Sequence, residues 1–230
     1  MGKNIPVPAI ERLSKIYTVV SGLKKSDKKR ISSAELESLT GIQAHSIRKD
    51  LSLLSPVKSG KEGYSTDSLE ELVSATFGFN RKRRICVAGL DMLGMAILNN
   101  PDSALSGFEI AAGFDNSINR MEMITTKVPL YHFYEIEETV RRLEIEFAIL
   151  AVDAEGAQKT ADRLLAGGIR GILNFSPVIL EPKLNLLVRN IYLLEELRLL
   201  SALLAQDPVP LTRGQTGAAS PDKGNSEQYK

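Results

Sequence analysis

Residues 88–94 read Ala-Gly-Leu-Asp-Met-Leu-Gly, "AGLDMLG". They follow the apolar run "RICV" at 84–87 and open a helical pattern. A strand, a glycine turn and a helix in this order are the sequence form of a dinucleotide-binding turn, G-x-G-x-x-G. Gly89 and Gly94 fill the first and third glycine places, and Asp91 stands in the second. The first glycine permits the tight turn, and the third permits close helix-strand packing. Both are kept, so the fold signal is intact. The middle glycine lets a pyrophosphate touch the backbone; Asp91 puts a Cβ and a carboxylate there instead. Its charge suits a helix N-terminus but repels a diphosphate, a mismatch of several kcal/mol at close range. That is about two decades of affinity or more.

The pattern continues outward from this turn. Apolar runs "ICVAG", "FEIAAGFD", "FAILAV" and "RGILNF" alternate with helical patterns over 92–98, 136–143 and 155–166. Strands apolar on both faces, separated by helices, predict an α/β fold with a parallel sheet covered on both sides. Asp115 ends the second strand 21 residues after Gly94. A dinucleotide fold places the acid that holds an adenosine ribose at about this distance.

The 230-residue chain is 43% hydrophobic and 25% charged, ordinary for a soluble globular protein. No apolar run is long enough to span a membrane. The N-terminus lacks the apolar segment of a secretory signal. The lone Cys86 lies in an apolar strand, which predicts a buried, inert thiol. These features fit a cytoplasmic protein. The net charge of +1 hides an asymmetry. Residues 1–84 carry 16 Lys+Arg against 9 Asp+Glu, and the remainder carries 13 against 19. A basic N-terminal third predicts a polyanionic partner for that part alone.

That third holds three closely spaced helical patterns. Ile10, Leu13, Ile16, Tyr17, Val20 and Leu23 recur on one helix face. After "KKSDKKR", Ser32 and Glu35 form the S-x-x-E capping box. Leu36 and Leu39 are expected to face inward, and Gly41 to end the helix. A third helix, "QAHSIRKDLSLL", follows at once with Ile47, Leu51 and Leu54 as its apolar stripe. Helix, short glycine turn and helix make a helix-turn-helix. His45, Ser46, Arg48, Lys49 and Ser52 lie off the stripe, where base and phosphate contacts are made. "SPVKSGKEGYST" reads as the hairpin wing of a winged helix, with Lys58 and Lys61 aimed at phosphates. A further helix over 66–77 closes the domain, and "GFNRKRR" connects it to the sheet.

Near the other end, a helix from about Leu193 carries Leu193, Leu194, Leu197, Leu199, Leu200, Leu203 and Leu204. Leucines on so much of the circumference are buried inside something larger, and a second copy of the chain is the economical partner. Residues 207–230 are rich in Pro, Gly and Ser, the composition of a disordered tail. The expected organisation is a winged-helix DNA-binding domain over 1–79, a Rossmann-like dinucleotide-binding domain over 84–190, a dimerisation helix over 191–206 and a tail over 207–230.

From about Ile5 to Ala205 the chain resembles the Rex family of redox-sensing transcriptional repressors. The resemblance rests on "IPVPAIERL", "RISSAELESLTGIQAHSIRKDLS", "VPLYHFYEIEE", "AEGAQKTADRLLAGGIRGILNFSPV" and "VRNIYLLEEL". "SIRKDLS" and "GILNFSPV" are the most specific of these. The resemblance implies a homodimer that binds operator DNA through its winged helices, and Rossmann domains that sense NADH against NAD+, with NADH releasing the DNA. It also implies a terminal helix swapped into the partner. Ser46, Arg48 and Lys49 would then lie on the recognition helix, and Lys58 and Lys61 on the wing. Gly89, Leu90, Asp91, Met92, Leu93 and Gly94 would form the nucleotide loop, and Asp115 would be the ribose acid.

Two departures fall on sensing parts. The family loop reads G-x-G-N-L-G where this chain has Asp91-Met92. The family has N-V-D-L where this chain has Asn190-Ile191-Tyr192-Leu193, and that acid pairs with a first-helix arginine, here Arg12, when the dimer switches. Tyr192 cannot make an ion pair. The expected function is therefore a Rex-like homodimeric repressor that binds operator DNA and senses NAD(H) weakly or not at all. The alternatives are a repressor retuned to another ligand, for which Asp91 favours a cation or a neutral group, and a constitutive DNA binder. An NAD-dependent oxidoreductase needs an acid or base at the nicotinamide. The only histidines are His45, on the recognition helix, and His132, read as a partly packed structural residue. No catalytic constellation and no metal-ligand cluster is present in the sequence, so no enzyme activity is expected.

Overall fold

The computed structural model describes residues 5–24, 26–54, 63–99 and 107–206. The chain divides into two compact units, Met1–Arg189 and Asn190–Lys230.

In the first unit, α1 (Val7–Lys24) is followed by the two-residue strand β1 (Arg30–Ile31), α2 (Ser33–Thr40), α3 (Ala44–Leu54), β2 (Tyr64–Ser65) and α4 (Thr66–Phe77). The capping box forms as its spacing requires: Ser32 Oγ accepts from the Glu35 N–H, and Glu35 accepts from the Ser32 N–H. Gly41 ends α2 at φ 72°, a left-handed conformation that suits glycine. A three-residue turn then leads into α3. Leu13, Ile16 and Val20 of α1 pack with Leu36, Ile47, Leu51 and Leu69 from the other three helices.

Leu39 does not join them; it is 53% exposed. The inward stripe of α2 runs through Leu36 and Thr40, whose hydroxyl donates to the Leu36 carbonyl and so can be buried. That centres the buried face away from Leu39. Of the expected wing, 55–62 lie outside the described residues. Its last strand, β2, pairs antiparallel with β1. The tail over 207–230 likewise lies outside the described residues.

The sheet that follows is built from β3 (Arg83–Ala88), β4 (Phe108–Asp115), β5 (Leu130–His132), β6 (Phe147–Leu150), β7 (Gly171–Asn174) and β8 (Leu187–Asn190). Their spatial order is β5-β4-β3-β6-β7-β8, the strand order of a doubly wound dinucleotide fold. All pairings from β5 to β7 are parallel. Helices α5 (Met92–Asn99), α6 (Ile118–Met123), α7 (Ile136–Arg142) and α8 (Ala154–Gly167) connect the strands.

Alternate residues of each strand enter different cores. Cys86 and Ala88 pack with Ala148, Leu150 and the inner faces of α7 and α8, whereas Ile85 and Val87 pack with Ile149 and Leu98 of α5. Ile110 and Ala112, two apart on β4, fall into opposite cores. The register shifts at this point, where Ile85 pairs with Ile110 but Cys86 with Ala112. One extra residue in β4 reverses which face its side chains take. The short elements β5, α6 and β8 were not foreseen from sequence.

In the second unit α9 (Leu193–Gln206) begins after Tyr192, whose carbonyl accepts from the Glu195 and Glu196 N–H groups. All the α9 leucines are exposed in the single chain.

Candidate functional site

The turn after β3 is shaped by its two glycines. Gly89 has φ 94°, and a Cβ there would collide with the Ala151 carbonyl at the end of the neighbouring strand. A Cβ on Gly94 would collide with the Gly89 carbonyl. Both positions therefore demand glycine, as the motif requires. Leu90 is fully buried beneath the turn. Its N–H donates to Asp115 Oδ2 at 2.8 Å. Above it the surface is open: the Asp91 side chain is 65% exposed and Met92 is 86% exposed, with Leu93 also exposed. Met95 N–H donates to the Asp91 carbonyl, the first turn of α5.

Asp115 sits at the end of β4 and is 1% exposed. A buried carboxylate needs several donors, and this one has them. Besides Leu90 it accepts from the Ser117 N–H at 2.8 Å. Arg120 Nη1 reaches both of its oxygens, at 3.0 and 2.8 Å. Arg120 is placed by α6, whose N-cap Ser117 accepts from the Arg120 N–H. The hydrogen bond and charge of Asp115 hold the Arg120 proton more tightly than usual.

The same guanidinium reaches the glycine turn. Arg120 Nη2 lies 2.9 Å from Asp91 Oδ1. This changes the expectation for Asp91. Its carboxylate is not an uncompensated charge at a phosphate site; it is one end of an Asp91–Arg120–Asp115 bridge with one net negative charge. Arg120 was missed in the sequence. Only its place five residues after the acid, behind a capping serine, pointed to it.

The helix-turn-helix forms a second candidate surface. On α3, His45, Arg48, Lys49 and Ser52 are exposed, and Ser46 is half-buried. Ser46 Oγ lies 3.3 Å from His45 Nε2. Arg48 Nη1 donates to Ser33 Oγ at 2.9 Å, which ties it to the start of α2. The Ser52 hydroxyl donates to the Lys49 carbonyl. Lys58 and Lys61 lie outside the described residues. Arg30 Nη2 donates to the Gly63 carbonyl, where β2 begins.

Beneath this face, Asp50 is 2% exposed. It takes two hydrogen bonds from Arg12, at 2.6 and 2.9 Å. Arg12, expected as part of a dimer switch, is thus engaged with α3. Glu11, beside it on α1, pairs with Arg189 of β8 at 2.9 Å.

Cys86 is buried, and burial pushes its thiol pKa up, away from reactivity. His132 stacks on Tyr134 and bonds the Asn116 carbonyl through Nε2. A cavity of about 950 Å³ is lined by Tyr17, Phe79, Phe108, Phe147 and Arg83. It lies where β3, β4 and β6 begin, the end of the sheet opposite the glycine turn. Among the described residues no group of His, Cys, Asp and Glu is placed to hold a metal ion. None of their helices is long and apolar enough to cross a membrane.

Comparison with known proteins agrees with this geometry. Residues 4–52 match the family described as putative DNA-binding protein N-terminus, and 80–178 match the CoA binding domain family. The redox-sensing transcriptional repressor Rex of Listeria welshimeri is 30% identical over 204 residues, covering 89% of this chain and 95% of that protein. Rex of Clostridioides difficile is 31% identical, covering 89% of this chain and 97% of that one. These relatives are repressors, not enzymes. The crystal structure of RSP, a Rex-family repressor, superposes with TM-score 0.77 at 29% identity, over 89% of this chain and 97% of that one. RSP in complex with β-NAD+ and operator DNA gives TM-score 0.79, again at 29% identity, over 89% of this chain and 94% of that one. The chain therefore belongs to the Rex family of redox-sensing transcriptional repressors.

Proposed function

We propose that this protein is a cytoplasmic, homodimeric repressor that binds operator DNA and keeps a NAD(H) site whose response is weakened. Residues 1–79 read the DNA, 84–190 hold the nucleotide, and 191–206 bury their leucines against a second copy. The DNA-binding part has support from α3, whose exposed His45, Arg48, Lys49 and Ser52 stand on a helix braced by Arg12 and Asp50. Lys58 and Lys61 would add phosphate contacts from the wing.

The residues present fit a dinucleotide in part. The close approaches at Gly89 and Gly94 leave the turn the family uses for a pyrophosphate, and Asp115 stands where a ribose acid belongs. Bound there, NAD(H) would supply a ligand whose oxidised and reduced forms differ only at the nicotinamide ring. Asp91 and Met92 oppose it by putting larger side chains where the family loop has Gly and Asn, Asp91 adding a Cβ and a carboxylate. The observation that supports the weakened response is the Arg120–Asp91 pair at 2.9 Å, which gives the Asp91 carboxylate a partner beside the glycine turn.

Calorimetric titration of the dimer with NADH and NAD+ tests this reading, on wild type and Asp91→Gly. The expected result is NADH binding at least about tenfold weaker in wild type than in Asp91→Gly, a difference of about 1.4 kcal/mol. Equal affinity, with NADH releasing wild-type protein from operator DNA, would establish ordinary redox sensing instead. A second reading, a constitutive DNA binder, is favoured by the Arg12–Asp50 pair. With Tyr192 in the place of the switch acid, Arg12 has its partner within the DNA-binding part itself. Operator affinity unchanged by saturating NADH in both proteins would support that reading.

A further inference from the structure

The bridge between the loop and β4 bears on which nucleotide the site accepts, provided the site binds dinucleotides at all, as the proposed function holds. A dinucleotide fold separates NAD(H) from its 2′-phosphorylated counterpart at the end of the second strand of the sheet. An acid there accepts a hydrogen bond from the ribose 2′-hydroxyl and repels a 2′-phosphate, whereas a nearby arginine accommodates that phosphate. This chain has both residues, joined to one another. Asp115 takes two backbone N–H groups and the Arg120 guanidinium on its two oxygens. Little acceptor capacity is left for a hydroxyl, and the adjacent cation offsets the Asp115 charge that would reject a phosphate, while Asp91 shares that cation and leaves the three-residue bridge with one net negative charge. The Arg120 side chain remains 36% exposed, so part of its donor set faces solvent.

We propose that Arg120 is the residue that sets nucleotide selectivity in this site: by occupying Asp115 it abolishes the preference for a ribose 2′-hydroxyl over a 2′-phosphate. Where Arg120 is paired with Asp115 alone, NADH and NADPH then bind with comparable affinity. Arg120 also holds Asp91, so the effect is read most clearly where Asp91 is absent and Arg120 keeps only Asp115.

Binding of NADH and of NADPH is measured by calorimetry on the wild-type dimer, Asp91→Gly and the double variant Asp91→Gly/Arg120→Gln. The affinity ratio of the two nucleotides is expected within tenfold for Asp91→Gly, and in wild type the net negative charge of the bridge is expected to shift it toward NADH. In the double variant Asp115 regains its free oxygens and its charge, and NADH is expected to win by more than tenfold. A more than tenfold preference for NADH in Asp91→Gly overturns the proposal, even if the double variant fails to fold. So does a ratio that Arg120→Gln leaves unmoved. Binding of neither nucleotide by any folded, operator-competent variant overturns the dinucleotide reading itself and the selectivity proposal with it.

Discussion

The Arg12 guanidinium on α1 grips the Asp50 carboxylate on α3 through Nε at 2.6 Å and Nη2 at 2.9 Å. Asp50 lies on the inner side of the helix whose outer side carries the DNA-reading candidates, so the pair fixes the rotation of that helix against α1. Arg12→Met is expected to leave a buried carboxylate without its charged partner. A buried acceptor left unpaired costs about 1–3 kcal/mol, more when it is charged. The variant is expected to melt at a lower temperature and to bind operator more weakly. The double variant Arg12→Met/Asp50→Asn is expected to recover part of both losses. Thermal melts and operator titrations in parallel check this; an unchanged melt in Arg12→Met would show that the pair does not brace the helix.

Arg48 and Lys49 are neighbours on α3 with different surroundings. Arg48 is tied to Ser33 at the first turn of α2, and helix N-termini in a helix-turn-helix lie against the phosphate backbone. Lys49 is exposed and points away from the apolar stripe. We therefore predict that Arg48→Ala weakens binding to operator and to unrelated DNA alike, and lowers the salt slope by about 1. Lys49→Ala is predicted to cost about 1–3 kcal/mol on the operator and to relax its sequence preference. Fluorescence anisotropy at several salt concentrations, on operator and scrambled duplexes, separates the two. A sequence-selective loss in Arg48→Ala would reverse the assignment.

How much of this was legible in the sequence follows the range of the interactions. The capping box at Ser32 and Glu35 and the turn at Gly41 are local, and they form as read. The helix expected over 66–77 is observed as Thr66–Phe77. The four long strands were visible because burial on both faces makes them continuously apolar. Strand β5, with three half-buried residues, and the six-residue α6 carry no such signal. Leu39 was misplaced because spacing by three or four does not say which of two neighbours centres the buried stripe. Arg12–Asp50 and Arg120–Asp91 were invisible for another reason. They join residues 38 and 29 positions apart, and only the packing of separate elements brings such charges together. The second of these pairs altered the electrostatic reading of the loop, although the loop's own residues had been identified.

Glu35 gives α2 a pH signature. Its hydrogen bonds to Lys28 first, and then to the Ser32 backbone and hydroxyl, hold its carboxyl down to about 2, against an ordinary value of 4.5. A carboxyl depressed on folding adds stability that is fully present above its unfolded value and is lost as pH falls through its folded value. The window runs from 4.5 down to about 2. Glu35→Gln removes the titration, so wild type is expected to be the more stable protein at neutral pH. That advantage is expected to shrink through the window and to vanish at its lower end. The pair is exposed, so the effect is small and is best read as a difference in urea midpoint between the two proteins. A difference that stays constant with pH would mean that Glu35 is not held by this network.

The leucines of α9 place the strongest demand for a second copy of the chain. Leu193, Leu197, Leu200 and Leu204 recur at spacings of four, three and four along one stripe, and all are exposed in the single chain. A soluble helix with such a stripe buries it against another element, and a dimer of a helix-turn-helix protein also reads two half-sites at once. Burying one leucine is worth about 1.5–3 kcal/mol. Replacing Leu197 and Leu200 together with glutamate is therefore expected to weaken the dimer by more than about a hundredfold. Sedimentation velocity should show a monomer at micromolar concentration, and operator affinity should fall with it. Far-UV circular dichroism should keep the signal of the sheet and the N-terminal helices, since none of the three cores includes α9 residues. A double variant that still sediments as a dimer would place the dimer contact on another surface and leave the leucine stripe to some other partner.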